Sequence, residues 1–155
     1  MTTETSRPST AGDELHRSAE GRLAAREQRY TSNRRTIVEA LAVTANPVTM
    51  PELLRLRPDL TQSSTYRNLA ALEDAEVVRR IVGSGEHAHY ELAEHLTEHH
   101  HHLVCVGCGS ILDVTLDRRL ERRLDRTFDG VATDHGFALD GHSIELFGRC
   151  ATCRS

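Results

Sequence analysis

Four cysteines in two pairs constrain this chain more than any other feature. Cys105-x2-Cys108 lies mid-chain and Cys150-x2-Cys153 almost at the end, with 41 residues between the pairs. Thiolates at this spacing form two knuckles that close one tetrahedral site, and four filled positions make it structural Zn2+, one ion per chain. Gly107 and Gly109 allow the tight turn that points the first pair at one ion. The fold must therefore return its C-terminus to residue 105, and the ion's binding energy, on the order of 10–16 kcal/mol in small zinc peptides, is folding energy. The competing assignment is a redox disulfide pair. The chain has no apolar core for a secretory signal and no long apolar run. A cytoplasmic protein is expected, where thiols and metal ligation prevail over disulfides.

Such a staple suits the composition. With 155 residues, 38% of them apolar, 4% aromatic and no Trp, the chain makes one ordinary domain or two small ones built on Leu, Val, Ala and Ile. Directly before the first cysteine pair runs His99-His100-His101-His102. In extended backbone alternate side chains point to opposite faces. His99 and His101 then face one way and His100 and His102 the other, which predicts two metal sites; the bland alternative is a solvated histidine patch. His87, His89 and Glu91 share one face of the preceding strand, and Asp113, Glu121, His135 and His142 extend the donor supply downstream. Imidazoles with a carboxylate suit Zn2+, and also Fe2+, Mn2+ or Ni2+.

The first half differs in charge. Net charge over the chain is −4, yet residues 22–82 carry 10 Arg against 7 acidic residues, and every one of the 19 basic residues is Arg. Arg favours phosphate and base-edge contacts. Residues 1–12 have the composition of a disordered tail. Helices are predicted from Asp13 to about Gln28, over 32–43 after a Ser/Asn cap, over 49–57 and from 61 onward, the last with Tyr66, Leu69 and Leu72 on successive turns. A Gly-Ser-Gly hairpin follows. Helices followed by a hairpin are the plan of a winged helix-turn-helix, with Ser64, Thr65, Tyr66 and Arg67 where a recognition helix meets the major groove; a small α+β domain that binds nothing is the alternative. In the second half, strands flank the Cys105 turn, residues 117–128 form an amphipathic helix with Leu116, Leu120, Leu124 and Phe128 at spacings of four, and 142–150 form a strand into the last cysteine pair.

The motifs TSNRRTIV (31–38), SSTYRNL (63–69), HHHHLVCVGCG (99–109) and DHGF…GHSIELFGRCATC (134–153) together resemble the ferric uptake regulator (Fur) family of bacterial metal-responsive repressors, most closely its zinc-uptake branch. The resemblance implies an α+β protein: a winged-helix DNA-binding domain (13–92), a hinge (93–98) and an α/β dimerisation and metal-binding domain (99–155). It implies a homodimer that binds palindromic double-stranded operators when loaded with regulatory metal, zinc foremost. Tyr66 and Arg67 match the recognition-helix pair, with Arg34, Ser64 and Thr65 as further DNA contacts. Cys105, Cys108, Cys150 and Cys153 match the structural zinc ligands. His99, His101, Glu121 and His142 match one regulatory site, and His100 and His102 the hinge site. The family's remaining hinge ligands fall at Pro47, Arg79 and Ala93, none of which can serve. Strand alternation offers His89 and Glu91 instead, or Asp113 for the carboxylate. Glu76 stands where the family has glycine before the wing.

Three rival functions follow from the same residues. They are an iron or peroxide sensor of the same family, a zinc hydrolase using His99, His101 and His142 with Glu121 as base, and a metal-storage module. No His-Glu-x-x-His helix is present, and an enzyme has no need of a basic winged helix.

Overall fold

A computed structural model describes residues 10–83 and 85–154. Residues 1–9 of the expected tail lie outside the described residues. The first helix starts two residues before the predicted Asp13: α1 spans Ala11–Ala25 because Thr10 caps it, accepting from the Asp13 N–H while the Asp13 carboxylate reaches back to the Thr10 N–H. Helix α2 (Ser32–Ala42) is capped by Thr31, one residue before the expected cap, and buries Ile37, Val38, Ala40 and Leu41. After the Asn46-Pro47 break come strand β1 (Val48–Thr49) and helix α3 (Met50–Leu56), which Thr49 and Glu52 close with a second capping box. Helix α4 (Gln62–Asp74) buries Thr65, Leu69 and Leu72 on one stripe.

Strands β2 (Val78–Ile81) and β3 (His89–Leu92) form the predicted antiparallel hairpin, and β1 pairs with the far side of β3. Four helices pack on this small sheet around Leu23, Ile37, Val38, Leu53, Leu69 and Leu72, all at most 1% exposed. That is the winged-helix fold.

A single 3-10 turn (Glu94–Leu96) leads to a second sheet. Its order is β5 (Ile111–Val114), β4 (His101–Cys105), β6 (Glu145–Gly148), with β4–β5 antiparallel and β4–β6 parallel. A parallel pair needs a crossover, here helix α5 (Arg118–Asp134), which Asp117 caps and which runs six residues beyond the predicted end. This half has little core of its own. Of α5 only Ala132 is buried, and all of β6 is exposed. Its buried cluster is Val104 and Ile111 with Ile81, which comes from the winged-helix hairpin. Among the described residues no helix is long and apolar enough to cross a membrane.

Glu76 is held at φ 54°, the left-handed conformation that glycine adopts freely and other residues adopt at a cost of about 1–2 kcal/mol. Its carboxylate receives Arg22 Nη1 at 3.1 Å, with Arg22 partly and Glu76 well exposed, so that pair returns little. Glu76→Gly is therefore expected to raise stability by about 0.5–1 kcal/mol after glycine's larger unfolded-state entropy is counted; thermal unfolding of the two chains measures it.

Candidate metal centres

The structure gathers titratable donors into three groups, each with its ligand atoms within 4.8 Å of one another. The first is the sulfur group. Cys105 ends β4, Cys108 follows a tight turn, and the Cys150–Cys153 knuckle is carried back beside them by the parallel strand β6. None of the four is in a disulfide; Cys108 Sγ and Cys150 Sγ stand 3.9 Å apart. The Cys150 N–H points at Cys105 Sγ (3.2 Å), and hydrogen bonds from the Cys150 and Cys108 backbone pull the Cys105 thiol down to about 6. Side-chain hydrogen bonds with Cys150, Cys108 and Cys105 push Cys153 up to about 12. Four sulfurs so placed cannot all ionise alone, and a cation among them removes the conflict. Gly107 is required here: a Cβ would sit 2.8 Å from that of Cys153.

The second group is His99, His101, Glu121 and His142. Glu121 lies in the first turn of α5. Its Oε1 receives His101 Nε2 at 2.9 Å, while Oε2 faces His99 Nε2 (3.6 Å) and His142 Nε2 (3.5 Å). The outer nitrogens are also occupied: Glu94 holds His99 Nδ1, Asp125 stands 3.3 Å from His142 Nδ1, and the Ile144 N–H points at His101 Nδ1 (3.3 Å). Carboxylates behind imidazoles fix ring orientation and raise donor strength, as around bound metals generally. Glu121 Oε2 and His142 Nε2 are buried without a hydrogen-bond partner among the described residues, an arrangement costing about 1–3 kcal/mol per group unless an ion answers it.

The third group bridges the two sheets. Glu91 comes from β3 of the winged helix; His100, His102 and Asp113 come from the residue before β4, from β4 itself and from β5. Glu91 Oε2 stands 3.2 Å from His100 Nε2 and 3.1 Å from His102 Nε2, and Asp113 faces the same imidazoles at 3.8 and 3.6 Å. Burial pushes Glu91 up, but hydrogen bonds and charge from His102 and His100 outweigh it and hold the carboxyl below its usual range. Burial foremost, and the Glu91 charge with it, raises Asp113, whose Oδ1 is buried with no hydrogen-bond partner among the described residues. The orphaned oxygen and the two-imidazole, two-carboxylate donor set fit a divalent transition metal. A cavity of about 470 Å3, lined by Asn46, Glu91, His100 and Asp113, leads to the group.

The alternation predicted for the histidine run thus holds: His99 and His101 go to one group, His100 and His102 to the other. His89 is a correction. It shares a face with Glu91, but two residues along a strand is about 6.6 Å, and it pairs with Thr49 and Ile81 at the far end of β3. Asp113 takes its place. Three of the proposed DNA contacts are likewise engaged elsewhere. Thr65 is fully buried, its hydroxyl donating to the Thr61 carbonyl at 2.8 Å. Arg34 donates through Nε to Asn68 (3.2 Å), through Nη1 to the Arg29 carbonyl (2.6 Å) and through Nη2 to Gln28 (2.9 Å). Ser64 Oγ receives Asn33 and Asn68, each at 3.1 Å, so Ser64 and Arg34 join the start of α2 to α4. Tyr66, 52% exposed, and Arg67 project from α4. Glu94 and Asp125 were not anticipated; only Asp125, one helical turn after Glu121, had a sequence signal.

A winged helix hinged to an α/β unit that carries one sulfur and two imidazole–carboxylate clusters is the build of a metal-responsive transcriptional regulator. Residues 25–147 match the model of the Ferric uptake regulator family. The chain is 31% identical over 136 residues to the Ferric uptake regulation protein of Campylobacter jejuni, covering 82% of this chain and 80% of that one. It is 33% identical over 105 residues to the Zinc uptake regulation protein of Mycobacterium tuberculosis, covering 67% and 75%. The Helicobacter pylori ferric uptake regulator, whose structure is described as revealing three functional metal-binding sites, superposes with a TM-score of 0.71 at 22% identity over 97% of this chain and 98% of that one. This protein belongs to the ferric uptake regulator family.

Proposed function

We propose that the chain is a zinc-responsive repressor that binds palindromic operators of metal-homeostasis genes as a homodimer. One observation carries the switch: Glu91 of the winged helix converges with His100, His102 and Asp113 of the second unit. A divalent ion supplies the charge that lets these donors share one centre. Glu91 then holds β3 against β4 and β5, so that Tyr66 and Arg67 of each copy meet successive major grooves at half-site spacing. The domain limits 13–92, 93–98 and 99–155 follow from this division of labour. Cys105, Cys108, Cys150 and Cys153 hold structural Zn2+. His99, His101, Glu121 and His142 hold a second regulatory ion beside the hinge.

The mycobacterial zinc-named relative and the three-imidazole second site, of borderline donors that suit zinc, favour zinc. The presence of Asp113 in place of His89 makes the hinge donor set harder and supports a second reading, an iron or manganese sensor. Operator retention titrated with Zn2+, Mn2+ and anaerobic Fe2+ separates the two: the zinc reading requires Zn2+ to drive binding at the lowest free concentration relative to its cellular availability.

The dimer has support in the exposed apolar side chains of the second unit, among them Leu112, Leu146, Phe147, Val131 and Phe137 at 47–71% exposure. Leu112, Leu146 and Phe147 line one surface groove and Val131 and Phe137 another, and exposed apolar surface of this kind marks a protein interface. Phe147→Asp is expected to convert a dimer to a monomer in sedimentation equilibrium and to abolish palindrome binding, while leaving the winged-helix core intact.

A further inference from the structure

Two side chains that belong to none of the three clusters cross the junction between the sheets. Strand β5 is the outer strand of its sheet, where backbone groups lack a strand partner. The N–H of Asp113, itself in the hinge cluster, donates instead to Asn46 Oδ1 at 2.9 Å, from the turn between α2 and β1. On the other flank Arg79 of β2 stands with Nη1 3.9 Å from Glu91 Oε1 and Nη2 4.0 Å from Glu145 Oε1 of β6. The cluster lies between these two struts, and Ile81 packs against Val104 and Ile111 alongside. All of these contacts form in the arrangement that brings the four donors together, and none of them uses an ion.

We infer that Asn46 and Arg79 are positioning residues that hold the winged-helix unit in the metal-competent arrangement before metal binds, and so set how much metal is needed to switch DNA binding. This rests on the hinge reading above. Apparent affinity is the intrinsic affinity scaled by the fraction of molecules already competent. A lost strut lowers that fraction, whereas saturating metal restores the same loaded state. The signature is a displaced midpoint with an unchanged plateau. Loss of a ligand or of a DNA contact lowers the plateau instead.

The test uses full-length protein with the sulfur site loaded. Zn2+ affinity of the hinge site is measured by competition with a chromophoric chelator, and operator binding by anisotropy across the same free-Zn2+ range. Asn46→Ala is expected to weaken apparent Zn2+ affinity about threefold to tenfold, the scale of one net hydrogen bond, and to move the DNA midpoint equally with the plateau retained. Asn46→Asp keeps the accepting oxygen and is expected at or below the wild-type midpoint. Arg79→Gln moves the midpoint the same way by less, since its pairs are long and partly exposed. An Asn46→Ala midpoint within twofold of wild type, or a lowered plateau, overturns the inference alone. Wild-type DNA binding that ignores metal overturns the hinge reading and the inference together.

Discussion

Cys150→Ala is expected to leave the chain without its tightly held zinc and with its second unit unfolded. That unit buries too little to stand unaided: the apolar cluster under its sheet is Val104 and Ile111 with a borrowed Ile81, and α5 contributes only Ala132. What returns the C-terminus to β4 is the sulfur cluster and the parallel β4–β6 pairing that it anchors. Structural zinc contributes on the order of 10–16 kcal/mol in small domains, comparable to or larger than the whole stability of an ordinary domain, about 5–15 kcal/mol. The winged helix has its own core, so loss of one cysteine ought to erase one unfolding transition and spare the other. Elemental analysis with far-UV circular dichroism on heating checks this. A zinc-free variant that unfolds as the wild type does would show the sulfur site to be dispensable.

Glu91→Gln carries the second large effect. Glu91 is the donor that the winged helix brings to the hinge cluster, 8% exposed and placed between two imidazoles. Glutamine keeps its shape and removes its charge, so the core survives while the centre loses one of two carboxylates. The carboxylate charge that His102 and His100 help to hold on Glu91 is then missing from the centre. Metal-dependent operator affinity is expected to fall at least about a hundredfold, since a switch of this kind needs a preference on the order of 10^4 between states. Glu121→Gln, within the second unit, is expected to cost less, because both sides of that cluster stay together without an ion. Anisotropy with labelled operator at saturating Zn2+ compares the three proteins.

Much of this was legible in the sequence because it is covalent or periodic. Cysteine spacing defined the sulfur site, and two-residue alternation divided four histidines between two faces. The same periodicities, pursued further, explain two misassignments. Thr65 falls on the stripe with Leu69 and Leu72, four and seven residues on, so it is buried rather than offered to DNA. His89 and Glu91 share a face, but a face is longer than a coordination sphere, and only Glu91 reaches the cluster. Arg34 is a basic residue in a basic half whose guanidinium braces two helices. Asn46 and Glu94 had no periodic signal. They sit in connecting segments, and Asn46 meets its partner 67 residues away, so only the docking of the two units reveals them.

If the hinge cluster couples metal to DNA as proposed, the coupling free energy is reciprocal. The most direct measurement is the apparent Zn2+ affinity of the hinge site in full-length protein, with and without saturating operator DNA. If Zn2+ strengthens operator binding by a given factor, operator must strengthen Zn2+ binding by the same factor, and Glu91→Gln must abolish both. Equal Zn2+ affinity in the presence and absence of operator would mean that the hinge cluster does not couple metal to DNA.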